Sequence, residues 1–225
     1  MKRWLLQHMG PLIFGGVGLV FMAVGSGLLW GSGAAARQAD EVAGWPLVTA
    51  AQWPQLATGQ TVAIEGRISE RNPVAAEGLV AFVARQYLGV KCSNDNSNDC
   101  RPAWAEVQRV TPALWLDAPG GRVQLANTDY TLDNPPETRQ TTPQLVAGQT
   151  VEYRGFRPGS PVFTGGVINQ ADGVTLRAVF LAGGDRAAYL ATQHGAADTL
   201  LTIGVVLAAF GLAFASIGLA WGYLS

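Results

Sequence analysis

PLIFGGVGLVFMAVGSGLLWG, residues Pro11 to Gly31, carries no charged side chain in 21 positions, and its reading decides how the rest of the chain is understood. As a helix rising about 1.5 Å per residue it is about 31 Å long, the thickness of a bilayer's hydrocarbon core. The charge-free stretch is wider still, from Trp4 to Ala36. Lys2 and Arg3 precede it, so the bias of positive charge toward the cytoplasm places residues 1–10 inside and whatever follows Trp30 outside. The rival reading is a cleaved secretory signal, with Ala34-Ala35-Ala36 as the small-residue cleavage site. The apolar run exceeds the usual signal core of about 7–15 residues, which favours a retained anchor. Either reading exports the middle of the chain.

The far end repeats the pattern. From Thr199 to Leu224 no charge occurs, and 26 residues of helix would cross a bilayer with some tilt. Only Ser225 follows, so a two-pass protein of the plasma (inner) membrane with both termini cytoplasmic is expected. Gly204, Ala208, Gly211, Ala215, Gly218 and Gly222 alternate at spacings of four and three, a face of small residues that lets helices approach closely in lipid. The first segment has its own glycines at 15, 16, 18, 25, 27 and 31. The partners implied are membrane lipid and either other membrane proteins or further copies of the chain. With no ionisable group inside either run, a proton relay or ion path built by this chain alone is not expected.

Between the anchors, residues 37–198 hold all 16 acidic residues and all but two of the 15 basic ones, a net charge of −3. That excludes a basic nucleic-acid-binding surface, despite thirteen arginines against two lysines. Short runs of alternating polarity bounded by Gly, Pro, Asn and Asp predict strands at 61–68, 78–87, 104–110, 114–117, 122–126, 151–156, 162–168 and 174–181. Thr49 reads as the cap of a short helix through Leu56, and Asp185 to Gln193 reads as helix running into the second anchor. Pro54-Gln55-Leu56, Gly59-Gln60-Thr61-Val62 and Gly66 recur 89 residues later as Pro143-Gln144-Leu145, Gly148-Gln149-Thr150-Val151 and Gly155. The expected fold is a membrane protein whose two transmembrane helices flank a mainly antiparallel β domain, OB-like or a duplicated small barrel, with short helices.

Cys92 and Cys100 bracket the polar loop Ser93-Asn94-Asp95-Asn96-Ser97-Asn98-Asp99, and in an exported domain they form a disulfide. The same loop admits a calcium reading, with Asp95, Ser97, Asp99 and Glu106 at positions 1, 3, 5 and 12 of an EF-hand-like frame. Cys100 stands where that frame needs Gly, and Pro102 follows, so a solvated loop closed by the disulfide is the competing assignment. No nucleophile elbow, phosphate loop, dinucleotide fingerprint or zinc-protease motif occurs, so neither a catalytic residue nor a cofactor is assigned. Glu65 and Glu152 hold nearby positions in the two repeat copies but read as strand carboxylates facing solvent. Trp45, Trp53, Trp104 and Trp115 suit core or membrane-proximal packing, and Trp4, Trp30 and Trp221 suit the bilayer interface.

The layout of a membrane helix, a β domain opening on Val62-Ala63-Ile64-Glu65-Gly66, a later Gly-bent strand, a helical approach with Tyr189-Leu190 and a closing membrane helix resembles the GIDE family. These are relatives of the mitochondrial outer-membrane E3 ubiquitin ligase, with a beside-a-membrane domain between two membrane helices. The resemblance implies a RING-less, prokaryotic-style member. Cys92, Cys100, His8 and His194 are too few to ligate the two zinc ions of a RING, so the ligase activity does not carry over. The function expected is a non-enzymatic binding or scaffold protein whose β domain engages other proteins at the membrane surface. The alternatives are an accessory subunit of a larger membrane complex, including an energy-transducing one, and a cryptic enzyme or ligand sensor.

Overall fold

The computed structural model describes residues 2–92, 100–141, 150–170 and 175–224. In chain order they form α1 (Lys2–Gly44), a 3-10 turn (Ala50–Gln55), β1 (Thr61–Ile68), β2 (Ala81–Cys92), β3 (Cys100–Val110), β4 (Leu114–Ala118), β5 (Gly121–Leu125), β6 (Thr131–Asp133), β7 (Glu137–Thr141), β8 (Val151–Phe156), β9 (Pro161–Gln170), β10 (Thr175–Gly183) and α2 (Arg186–Leu224). The chain divides into a helical unit, Met1–Ala43 with Leu190–Ser225, and a β unit, Gly44–Tyr189.

Both helices are long and apolar enough to cross a membrane. Each also continues well beyond its charge-free run. In α1 the alanines at 34–36 favour helix, and the helix carries on through Arg37, Asp40 and Glu41 until Gly44, two residues before Pro46. At the start of α2 two carboxylates accept from backbone N–H groups of the first turn: Asp185 from that of Ala188 (2.8 Å) and Glu65 from that of Arg186 (2.9 Å). Within the apolar part, Thr199, Thr202 and Ser216 donate their hydroxyls to carbonyls four residues back, so these polar groups are satisfied inside the helix.

In the β unit, β5, β4, β1, β9 and β10 lie side by side in that order, and β10 returns to β5, closing a five-stranded barrel. Four of the five contacts are antiparallel; the closing one is parallel, through Thr175↔Gln124 and Leu176↔Leu125. Counting barrel strands alone in chain order, the circuit is 1-2-3-5-4-1. Strand β6 extends the line of β5 along β10. Alternate residues fill the interior: Val62, Ile64, Leu114, Leu116, Val123, Leu125, Ile168 and Leu176 are fully buried, and Tyr130 closes one side with its hydroxyl donating to the Pro112 carbonyl at 2.7 Å. Where β4 does not reach β1, residues 46–48 do, with Ala63 and Val48 exchanging backbone bonds of 2.9 Å with Pro46 and Ala63.

The remaining strands make a four-stranded antiparallel sheet, β3-β2-β8-β7, built from two insertions into the barrel sequence. This corrects the duplicated-barrel alternative. The two strands that open the sequence repeat fold into different sheets, β1 in the barrel and β8 in the inserted sheet, while 143–149 lie outside the described residues. What the copies share is local: a Cβ on Gly66 would lie 2.8 Å from the Asp117 carbonyl oxygen, and one on Gly155 would collide with that of Ala81. Both glycines admit a neighbouring strand rather than a positive φ.

Two further expectations change in detail. The segment after Thr49 is a 3-10 turn containing Pro54, held by Gln52 Oε1, which accepts from both the N–H and the hydroxyl of Thr49. Strands β6 and β7 have no counterpart in the sequence reading, because β6 has three residues and β7 is a polar edge strand (Glu137-Thr138-Arg139-Gln140-Thr141) following two prolines.

Candidate functional site

The first candidate is the contact between α1 and α2 within the helical unit. Small residues spaced by seven are buried on both: Gly18, Gly25, Ser32 and Ala39 on α1, and Ala197, Gly204, Gly211 and Gly218 on α2. A Cβ on Gly18 would lie 2.8 Å from Gly211 O and Ala215 N, and one on Gly25 would lie 2.8 Å from Ala208 N and 2.9 Å from Gly204 O. Higher residues of α1 thus meet lower ones of α2, so the helices run antiparallel with their backbones in contact. Phe14 and Phe21 each stack on Phe214 at 6.1 Å, filling the space beside the glycines. Of the predicted packing face, Gly204, Ala208, Gly211 and Ala215 meet α1, Gly218 is buried on the same line, and Gly222 lies in the last turns of α2. The sequence reading missed the α1 half of this seam, where Gly18 and Gly25 stand among Gly15, Gly16, Gly27 and Gly31; the seven-residue spacing they share with Gly204 and Gly211 is the signal that picks them out.

The second candidate is the distal half of the β2–β3 hairpin. Next to β8, β2 is held on both sides, and that double pairing ends where the Tyr87 N–H donates to the Thr150 carbonyl at 2.9 Å. Beyond Tyr87 the only neighbour of β2 among the described residues is β3. There the two strands form an arm, with Tyr87 opposite Trp104, Val90 opposite Pro102, Lys91 opposite Arg101 and Cys92 opposite Cys100. The Tyr87 and Trp104 rings lie 5.2 Å apart. Leu88, Val90 and Val107 are 54%, 57% and 53% exposed, so the arm presents apolar side chains that neither core uses. A disulfide joins Cys92 to Cys100, the pair that the sequence selects.

The calcium reading meets a competing bond. Asp95, Ser97 and Asp99 lie outside the described residues, and both carboxylate oxygens of Glu106 accept from Arg109 at 2.9 Å. That fork holds the Glu106 carboxyl below its ordinary range. Among the described residues no group of three or more His, Cys, Asp or Glu side chains is placed to hold a metal ion. Glu65 and Glu152 sit in different sheets, the first on the α2 N-terminus and the second paired with Arg154 at 3.4 Å.

A third cluster stands where the chain enters α2. The Phe180 ring stacks on Tyr189 with centroids 4.6 Å apart, Phe163 touches both, and Trp45 lies 6.3 Å from Phe180 over Gly165. The Tyr189 hydroxyl is buried without a hydrogen-bond partner among the described residues. Close by, burial pushes the Asp133 carboxyl above its ordinary range. Of the other predicted core tryptophans, Trp53 is buried, Trp104 is half-buried on the arm, and Trp115 is 40% exposed on β4, contrary to the packing expected of it. Trp115 lies on the outward side of a strand whose inward residues are Leu114 and Leu116. Two open clefts, one beside Asp129 and Arg177 and one between Glu65, Arg67 and Asp117, are lined by carboxylates already engaged: Asp129 with Arg177 at 3.3 Å, Asp117 with Arg122 at 2.7 Å, and Glu65 with the α2 N-terminus. No family model, no curated protein and no solved structure matches this chain.

Proposed function

We propose that the chain is a two-pass membrane-anchored binding or scaffold protein whose β unit meets other proteins on the extracytoplasmic side of the plasma (inner) membrane. The observation that carries this reading is the β2–β3 arm. Exposed Leu88, Val90 and Val107 beside the Tyr87–Trp104 pair give apolar area outside both folded cores, on a hairpin rigidified by a disulfide. The disulfide also fits an oxidising compartment. In this reading the five-stranded circuit is an OB-type barrel, since its order and single parallel contact follow that fold's Greek-key plan. The placement of a β unit between two apolar helices suits a RING-less relative of the GIDE type, with no enzymatic activity of its own.

Affinity purification in mild detergent followed by mass spectrometry tests the proposal. The tagged chain should retain at least one membrane-associated protein, and Leu88→Asp together with Val107→Asp should lose it while the chain still folds. A strictly monomeric wild-type chain without a partner would overturn the reading. Orientation is tested separately: a membrane-impermeant thiol reagent applied to intact cells should reach Cys92 after reduction, and labelling only from the cytoplasmic side would reverse the topology.

The accessory-subunit reading has one observation of its own. Gly15, Gly16, Gly27 and Gly31 of α1 face open space, so a second helix could approach α1 there. Expression of the chain alone should then give a protein degraded unless its partner helix is supplied.

A further inference from the structure

We infer that the outward face of the barrel around Trp115 is a binding site for a neutral oligosaccharide: the indole is the platform on which a sugar ring lies, and the row Arg67–Asp117–Arg122 beside it takes the hydroxyls.

Trp115 does nothing for the barrel core. Leu114 and Leu116 on either side of it point inward and are fully buried, whereas Trp115 is 40% exposed. Its backbone is nevertheless held by a buried side chain. Asn72, only 4% exposed, pairs with it as a strand would: Asn72 Oδ1 accepts from the Trp115 N–H at 2.8 Å and Nδ2 donates to the Trp115 carbonyl at 2.8 Å. The Ser69 N–H donates to the same carbonyl at 2.9 Å. A buried amide that serves the backbone of an exposed tryptophan fixes the base of the ring, so less freedom is lost when a ligand settles on it.

Two residues along β4, and so on the same side of the sheet, stands Asp117. Its register partners are Arg122 on β5 and Arg67 on β1. Arg122 Nε donates to Asp117 Oδ1 at 2.7 Å, which holds the Asp117 carboxyl below its ordinary range, and Arg67 Nη1 donates to the Gly159 carbonyl at 3.0 Å. This row borders the open cleft of about 370 Å³ whose walls include Glu65, Pro119 and Pro161. Both prolines are fixed in place. The Pro119 carbonyl accepts from the Ala50 N–H at 3.0 Å, and Pro161 pairs with Arg67 across the β1–β9 ladder.

The chemistry of the row selects its occupant. Arg67 and Arg122 balance Asp117 and Glu65, so the face lacks the excess of positive charge that a polyanion requires. A nucleic acid would also meet a segment, 37–198, of net charge −3. An apolar peptide would find charged groups beside the ring instead of further apolar area. A pyranose suits both parts of the site. Its C–H face lies on the electron-rich face of an indole, and its hydroxyls, each a donor and an acceptor, reach the N–H groups and carboxylate lone pairs that the internal pairs leave over. The site is on the barrel, apart from the arm to which a protein partner is assigned above.

An array of neutral, sulfated and sialylated oligosaccharides, probed with the full chain in a detergent that has no sugar headgroup, tests the site. Wild type should bind neutral oligosaccharides in preference to the acidic ones. In a titration with the best binder, Trp115→Ala should weaken binding about tenfold, the worth of one lost stacking contact, and Trp115→Phe should keep most of it. Arg67→Ala, at the exposed end of the row, should weaken it severalfold whether or not Trp115→Ala folds, with thermal melts in the same detergent reporting on folding. Leu88→Asp together with Val107→Asp should leave sugar binding unchanged, which separates this site from the arm. No neutral glycan bound, a preference for acidic glycans, or affinity unchanged in folded Trp115→Ala or in Arg67→Ala would overturn the inference.

Discussion

A methyl group added to Gly155 would press on the Ala81 carbonyl and stand 2.6 Å from the Phe82 Cβ, both on the strand paired with it. Gly155→Ala should therefore destabilise the β unit by about 1–3 kcal/mol, the usual cost of overpacking, measured by denaturant unfolding in detergent. Asp133 offers a change in the other direction. Burial raises its carboxyl above the ordinary range, so the folded state binds its proton more tightly than the unfolded chain does. The contribution is favourable below the unfolded value of about 4 and is lost as pH rises through the folded value. Asp133→Asn, which never ionises, should melt a few degrees higher than wild type at pH 7, with the gap closing as pH falls toward about 4. At this scale the repeat marks Gly66 and Gly155 without telling a bend from the close approach of a neighbouring strand. The distinction was not legible because close approach depends on which strand becomes the neighbour. Asp133 left no signal at all: a carboxylate in a three-residue strand reads as loop until the strand beside it is known.

The helical seam obeys a period of seven, and that period is a prediction about substitutions. Gly25→Leu and Gly211→Leu each insert a side chain where the facing backbone already lies within contact, so both should lower the unfolding temperature of the detergent-solubilised protein. Gly27→Leu, two residues from the first, has nothing within 4 Å and should leave it unchanged. Equal effects at 25 and 27 would show that helix propensity, rather than contact, governs. The α2 half of this element was readable because Gly204, Ala208, Gly211 and Ala215 recur on one face without interruption. On α1 the buried Gly18 and Gly25 were hidden among Gly15, Gly16, Gly27 and Gly31, which face outward. The arm was legible as two strands and a disulfide, yet not as an arm, since projection depends on where β8 stops pairing.

Among the described residues the barrel core draws on side chains between Val48 and Leu181, all inside the β unit. A secreted fragment spanning Gly44 to Tyr189 should accordingly fold alone, with strand-rich circular dichroism, one cooperative melt and an intact Cys92–Cys100 bond; an aggregated or molten fragment would refute this. The sequence conveyed two anchors and a β domain between them because charge and alternation are local properties. It did not convey that the second repeat copy leaves the barrel for an inserted sheet, because sheet membership is a long-range choice that alternation does not encode. That choice bears on how the chain is made. Thr61 pairs with Val167, and the parallel closure needs Thr175 and Leu176, so β1 emerges about 100 residues before its main neighbour exists. At a synthesis rate of roughly 5–20 residues per second this strand waits about 5–20 s with an open hydrogen-bonding edge. During that interval the short segment 46–48 can occupy one side of it. The molecule's most exposed moment is thus a matter of timing, set by how late β9 leaves the ribosome.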